Sequence, residues 1–324
     1  MRESGNVFGP AATARNPGGT TREGAVSSIG TRVAGAYLRA TARRRMTTPE
    51  RARARMIAEQ ASPAPPARLR RRHRITEGEC GGFGVYTVDP RGRAPHCSVI
   101  YLHGGAYIGE ITAHHWRFVA RLAERGARVI VPIYGLAPRW THRDAYPFLD
   151  GVLDRHTADM PGPWTLMGDS AGGGLALGWA QTLRDRGADV RQPDRLVLLS
   201  PWLDLTIANP EVAGIDDPWL VRDGLLEVGR AWAGGDDPTD PRLSPLFGEL
   251  AGLPGIDLHA GTRDLSYPDC VLLRDRAAAA GVPVGLTVVD GGLHVTPLLP
   301  VREGRTAAAQ IAGQVCAHPA ARQS

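Results

Sequence analysis

Residues 164–174 read WTLMGDSAGGG: an apolar, strand-like run that passes straight into a series of small residues. At its centre, Gly168-Asp169-Ser170-Ala171-Gly172 is a G-x-S-x-G. A serine nucleophile needs a tight, strained strand-to-helix turn, and flanking glycines let backbone and neighbouring strands close on it. The helix that follows would aim free N–H groups and a partial positive charge at a developing oxyanion. Ser170 is therefore the candidate nucleophile, and the turn predicts a sheet with a helix on its flank.

Outward from that turn, strand-like and helix-like segments alternate, the signature of a mostly parallel sheet covered on both faces. Strands are predicted at 83–88, 98–103, 128–133, 164–168, 195–200, 255–260 and 284–289. Helices fit at 114–125, 142–157, 171–186, 266–280 and 303–317, with Pro147 interrupting the second. The stretch 204–247 is longer than an αβ connection needs. Within it Val221, Leu225, Val228 and Trp232 form one helical stripe, as expected of a cap over a pocket.

Upstream, residues 1–25 are rich in Gly, Pro and Thr and are expected to be disordered. Residues 26–67 read as a helical arm. Val26, Ile29, Val33, Ala36, Tyr37 and Ala40 recur at helical spacing, and Thr48-Pro49 open a second helix expected to reach 60. Three prolines in 61–67 mark the boundary with a catalytic domain at 68–324.

Charge divides along the same line. Residues 1–74 carry 16 Arg against 4 acids, whereas the remainder is net −7, and the chain has no lysine. A basic arm could meet nucleic acid or a membrane surface. No nucleic-acid motif accompanies it, so solvated arginines are the expectation and no nucleic-acid partner is predicted. No apolar run approaches the roughly 20 residues of a membrane span, and no secretory leader is evident, so a cytoplasmic protein without stable membrane insertion is expected. Cys80, Cys97, Cys270 and Cys316 are scattered, which favours free buried thiols. His114-His115 lack ligand spacing, and no metal site is predicted. A Lys-bearing phosphate loop is impossible here.

Two further segments complete a chemistry. A tetrahedral intermediate needs preorganised donors. His103-Gly104-Gly105-Ala106-Tyr107 follows a strand, so Gly104 and Gly105, with Ala171, are the candidate oxyanion-hole amides. A serine hydroxyl also needs an imidazole and an orienting carboxylate. His294 follows strand 284–289, and Asp264 lies just past strand 255–260; Asp257 and Asp269 are alternatives for the acid. The order Ser170…Asp264…His294 suits this fold. His114, His115, His142 and His259 are expected to be satisfied or solvated.

Together HGGAY, GDSAGG, Tyr134-Gly135-Leu136-Ala137-Pro138 and Ser200-Pro201-Trp202 resemble the hormone-sensitive-lipase family of α/β-hydrolase esterases, over about 75–316. The resemblance implies an α/β-hydrolase fold with a helical cap, built from 26–60 and 204–247. It also implies the triad Ser170, Asp264 and His294, short or medium acyl ester substrates, and no cofactor. A catalytically silent ligand-binding protein, an amidase and an acyltransferase remain alternatives on the same residues. A second copy of the chain, as a homodimer, is the one protein partner considered.

Overall fold

The computed structural model describes residues 19–23 and 27–317. Strand β1 (Thr20–Glu23) lies at one edge of the sheet. This corrects the expectation of disorder across 1–25 at those four positions; residues 1–18 and 24–26 lie outside the described residues. The arm follows as α1 (Ile29–Ala40), a 3₁₀ turn at Arg43–Met46, and α2 (Pro49–Met56), which stops short of residue 60. Ser28 caps α1, and its amide also donates to Glu303 Oε1 at 2.6 Å. The helical stripe of α1 does not face the core. Ile29, Val33 and Tyr37 stay exposed, and α1 approaches the body through Thr31 and Gly35. A Cβ on Gly35 would stand 3.6 Å from Leu293, so small size rather than apolar bulk sets this approach.

A short helix α3 (Ala67–Arg72) leads into β2 (Arg74–Cys80) and β3 (Phe83–Asp89), which pair antiparallel. Strand β2 was not predicted. It is a solvent-facing edge strand whose residues are mostly exposed, so it carries no apolar alternation. The parallel body comprises β4 (Cys97–Leu102), α4 (Ala113–Glu124), β5 (Ala127–Pro132), α5 (His142–His156), β6 (Trp164–Asp169), α6 (Ala171–Asp185) and β7 (Arg195–Leu199). After the insertion, whose helix is α7 (Arg222–Ala233), come β8 (Gly255–Arg263), α8 (Tyr267–Ala279), β9 (Val284–Leu293) and α9 (Arg302–Val315). Helix α5 runs through Pro147 because that residue and Arg143, whose carbonyl loses its donor, both lie on the solvent side.

The nine strands run β1-β9-β8-β7-β6-β4-β5-β3-β2. Successive side chains point to opposite faces, so each central strand feeds two cores. Ile100, Leu166 and Leu198 join α5, α6 and α8 on one face, while Val99, Met167 and Val197 join α4 and α9 on the other. This is the α/β-hydrolase architecture. Among the described residues no helix is long and apolar enough to cross a membrane. The arrangement brings the carboxyl ends of β4, β6, β8 and β9 to one rim, and all the candidate residues leave the sheet there.

Candidate active site

Ser170 stands immediately after β6 with φ +52° and ψ −123°, a conformation L-residues rarely adopt. Its neighbours impose it. A Cβ on Gly168 would meet the Gly172 carbonyl at 2.2 Å, and one on Gly172 would meet the Leu102 carbonyl at 2.2 Å. The Ser170 amide donates to the Leu199 carbonyl at 2.8 Å, and its carbonyl accepts from Trp202 at 2.9 Å. The turn is thus fixed from both sides by strand β7 and its exit.

His294 and Asp264 converge on that serine. The Ser170 hydroxyl lies 2.8 Å from His294 Nε2, and His294 Nδ1 lies 2.9 Å from Asp264 Oδ1. A carboxylate only accepts, so Nδ1 carries the proton and Nε2 presents a lone pair to the hydroxyl. Asp264 is fully buried and also accepts from the Ser266 amide and hydroxyl. Burial would raise its pKa, but the neighbouring His294 outweighs that and holds the carboxyl below its ordinary value. Burial likewise opposes charging His294, yet Asp264 overrides it and the imidazole sits above its ordinary value. The alternative acids go elsewhere. Asp257 pairs with Arg195, and Asp269 accepts from Asn209 at 2.9 Å.

The His103–Tyr107 loop departs from expectation at one amide. Gly104 N–H donates to Asp169 Oδ1 at 3.0 Å, so it is already engaged and faces away from the role assigned to it. Gly105 and Ala106 follow with φ of +129° and +52°, and Ala171 is the first residue of α6. Among the described residues none of these three amides has a partner.

Two carboxylates that the sequence reading passed over hold this arrangement. Asp169, buried beside Ser170, accepts from the Tyr101 hydroxyl and from Gly104, and pairs with His115 Nε2 at 3.3 Å. His115 Nδ1 accepts the Thr112 amide, so its proton sits on Nε2 and points at Asp169. Burial alone would raise the Asp169 pKa; His115, Tyr101 and the Gly104 amide together lower it. The clue was an acid at the variable position of G-x-S-x-G, where burial demands donors. Asp217 comes from the insertion and accepts the amides of Trp219, Leu220 and Leu265. Burial, then the Asp264 charge, pushes its pKa up. Trp219 meets the His294 ring edge-on, 5.6 Å between centroids. His103 is buried, stacks on Tyr134 at 4.6 Å and is pushed down to about 4 by burial and by His115, so it stays neutral.

A hollow of about 560 Å³ opens over Ser170. Its walls include Tyr37, Leu38 and Met46 of the arm and Trp219, Leu220 and Leu225 of the insertion. Tyr107, at φ +58°, stacks on Trp232 of α7 at 4.2 Å, which ties the His103–Tyr107 loop to the insertion.

Residues 99–298 match the family model described as alpha/beta hydrolase fold. An acetyl-hydrolase of Streptomyces hygroscopicus is 32% identical over 248 residues, 72% of this chain and 78% of that protein. The esterase LipU of Mycobacterium tuberculosis is 32% identical over 228 residues, 65% of this chain and 72% of its own. Among solved structures, an esterase from the bacterial hormone-sensitive lipase family superposes with a TM-score of 0.72 at 25% identity, covering 90% of this chain and all (100%) of that one. An esterase/lipase from an uncultured bacterium gives a TM-score of 0.74 at 25% identity, over 89% and 98% of the two chains. On this shared sequence and fold, the chain belongs to the α/β-hydrolase family, among the esterases and lipases that resemble hormone-sensitive lipase.

Proposed function

We propose that the protein hydrolyses carboxylic esters with short or medium acyl chains, through an acyl-enzyme on Ser170. The observation that carries this is the unbroken line from the Ser170 hydroxyl through His294 to Asp264, at 2.8 and 2.9 Å. The substrate carbonyl carbon meets Ser170 Oγ as His294 Nε2 takes the hydroxyl proton. The developing oxyanion is received by the amides of Gly105, Ala106 and Ala171. This replaces Gly104 with Ala106, because the Gly104 amide is held by Asp169. His294, now charged and steadied by Asp264, gives its proton to the leaving alcohol. A water then repeats the sequence on the acyl-enzyme and frees the acid. The arm and the insertion act as a cap, and a hollow of about 560 Å³ suits an acyl chain of modest length.

The test is Ser170→Ala assayed on p-nitrophenyl butyrate, alongside fluorophosphonate labelling of the wild-type enzyme. Turnover should vanish and the label should sit on Ser170. Retained hydrolysis by the variant would overturn the assignment.

A further inference from the structure

The arginines of the arm differ in their partners. Arg39 and Arg53 reach the insertion through Asp216 and Glu227, each at 2.6 Å, and Arg43 donates to the carbonyls of Asp217 and Leu220. Arg45 and Arg55 behave differently. Among the described residues neither guanidinium has a hydrogen-bond acceptor, and no carboxylate lies within 4 Å of either. Both line the hollow that holds Ser170, Arg45 at its mouth and Arg55 half-buried within. The Arg55 head lies against Gly109, where an added Cβ would stand 3.6 Å from Nη2. Gly109 in turn donates to the Gly105 carbonyl at 2.9 Å, so this cation adjoins the loop carrying the oxyanion amides.

Three acids line the hollow, Glu110, Asp169 and Asp269, and none lies within 4 Å of either guanidinium; Asp169 is held by Tyr101, Gly104 and His115. Glu110 is half-buried and its carboxyl is pushed up by desolvation. Asp269 is pushed up to about 6 by burial and is held by Asn209. A half-buried guanidinium without a partner costs solvation that an anion would restore, and a carboxylate fits its fork bidentately.

We propose that Arg55, assisted by Arg45, is an anion-binding subsite that selects esters bearing a free carboxylate on the acyl chain, such as dicarboxylic half-esters. The inference rests on the esterase reading above and adds the charge of the substrate to it.

The experiment compares p-nitrophenyl hexanoate with mono-p-nitrophenyl adipate, which have the same acyl length and differ by one terminal carboxylate. The wild type should show the higher kcat/KM on the adipate ester, an advantage that shrinks as NaCl is raised. In Arg55→Gln the adipate-to-hexanoate ratio of kcat/KM should fall by about tenfold, mainly through KM, while Arg55→Lys keeps part of it. Residual hexanoate hydrolysis reports that each variant is folded. A ratio unmoved by Arg55→Gln, or a wild type that prefers the hexanoate ester, would overturn the subsite and leave the esterase intact. Failure of the wild type on both esters would instead overturn the esterase reading, and the subsite with it.

Discussion

The floor of the active site and its roof are held together by different forces. On the floor, Ser170, Asp264 and His294 leave the carboxyl ends of β6, β8 and β9 and are locked by buried hydrogen bonds, with Asp169 tying the Ser170 turn to the His103–Tyr107 loop. On the roof, the arm meets the insertion partly through charges, Arg39 with Asp216 and Arg53 with Glu227, and Arg263 of β8 joins Asp216 as well. Buried pairs are barely screened by salt, whereas exposed pairs contribute about 0–1 kcal/mol each and weaken as ions are added. On the proposed function, reactivity belongs to the rigid half and selectivity to the yielding half. Substitutions on the floor should act on kcat, and those on the roof should act on KM.

The largest expected effect comes from Asp264→Asn. The amide keeps the shape but presents the wrong partner to His294 Nδ1, and kcat on p-nitrophenyl butyrate should drop on the order of 10⁴-fold. A loss below tenfold would mean that another carboxylate orients the ring. Next is Gly104→Ala. Its new Cβ would lie 2.3 Å from Asp169 Oδ2 and 2.9 Å from Ser170 Cβ, so the loop or the nucleophile must shift. About a hundredfold loss of kcat with little change in KM is expected, since a displacement of this size misaligns reacting atoms. If KM rose instead, the floor would not be as rigid as its hydrogen bonds imply.

The pH profile sharpens the same contrast. His294 must be neutral to take the Ser170 proton, and its pKa is raised by Asp264, with Asp217 adding to the effect. The acidic limb of kcat/KM should therefore lie above the ordinary imidazole value of about 6.5, with activity falling as pH drops through it. Asp217→Asn removes one of the charges that favour the imidazolium, so its limb should move to lower pH. Stability runs the other way. A pKa raised by folding means protonated His294 stabilises the fold; that contribution is full below the unfolded value and is lost as pH rises through the folded one. Activity and this part of the stability therefore change in opposite directions over the same window, which parallel activity and thermal-melting titrations would reveal.

The floor was far more legible in the sequence than the roof, and for a physical reason. Gly168, Ser170 and Gly172 lie within five residues, and the steric need for missing side chains is written locally. Asp264 and His294 could be placed because each directly follows an apolar strand. The proposed oxyanion amides were legible only as a loop, because which amide is free depends on Asp169 capturing Gly104 across 65 positions. Asp217 gave no signal at all. It reaches the triad only when the insertion folds back, with the Leu265 amide as its partner 48 positions on. The face that α1 buries was not legible for a related reason. Periodicity identified a helix, but the buried face was set by Gly35 fitting against Leu293, not by Ile29 or Val33.

The smallest expected effect tests the roof directly. Arg39→Ala and Arg53→Ala together remove the two ion pairs that join arm and insertion among the described residues, the first exposed on both sides and the second exposed at its arginine. Each pair contributes at most about 1 kcal/mol, so KM for p-nitrophenyl butyrate should rise by roughly two- to fivefold while kcat stays close to wild type. The rise should also be mimicked in the wild type by about 1 M NaCl, where the screening length shrinks to roughly 3 Å, and the double variant should then show little further response. Equal salt sensitivity in both proteins would mean that Arg43, bonded to the Asp217 and Leu220 carbonyls rather than to a charge, fastens the roof alone. In that case the two halves would differ in position but not in the kind of force that holds them.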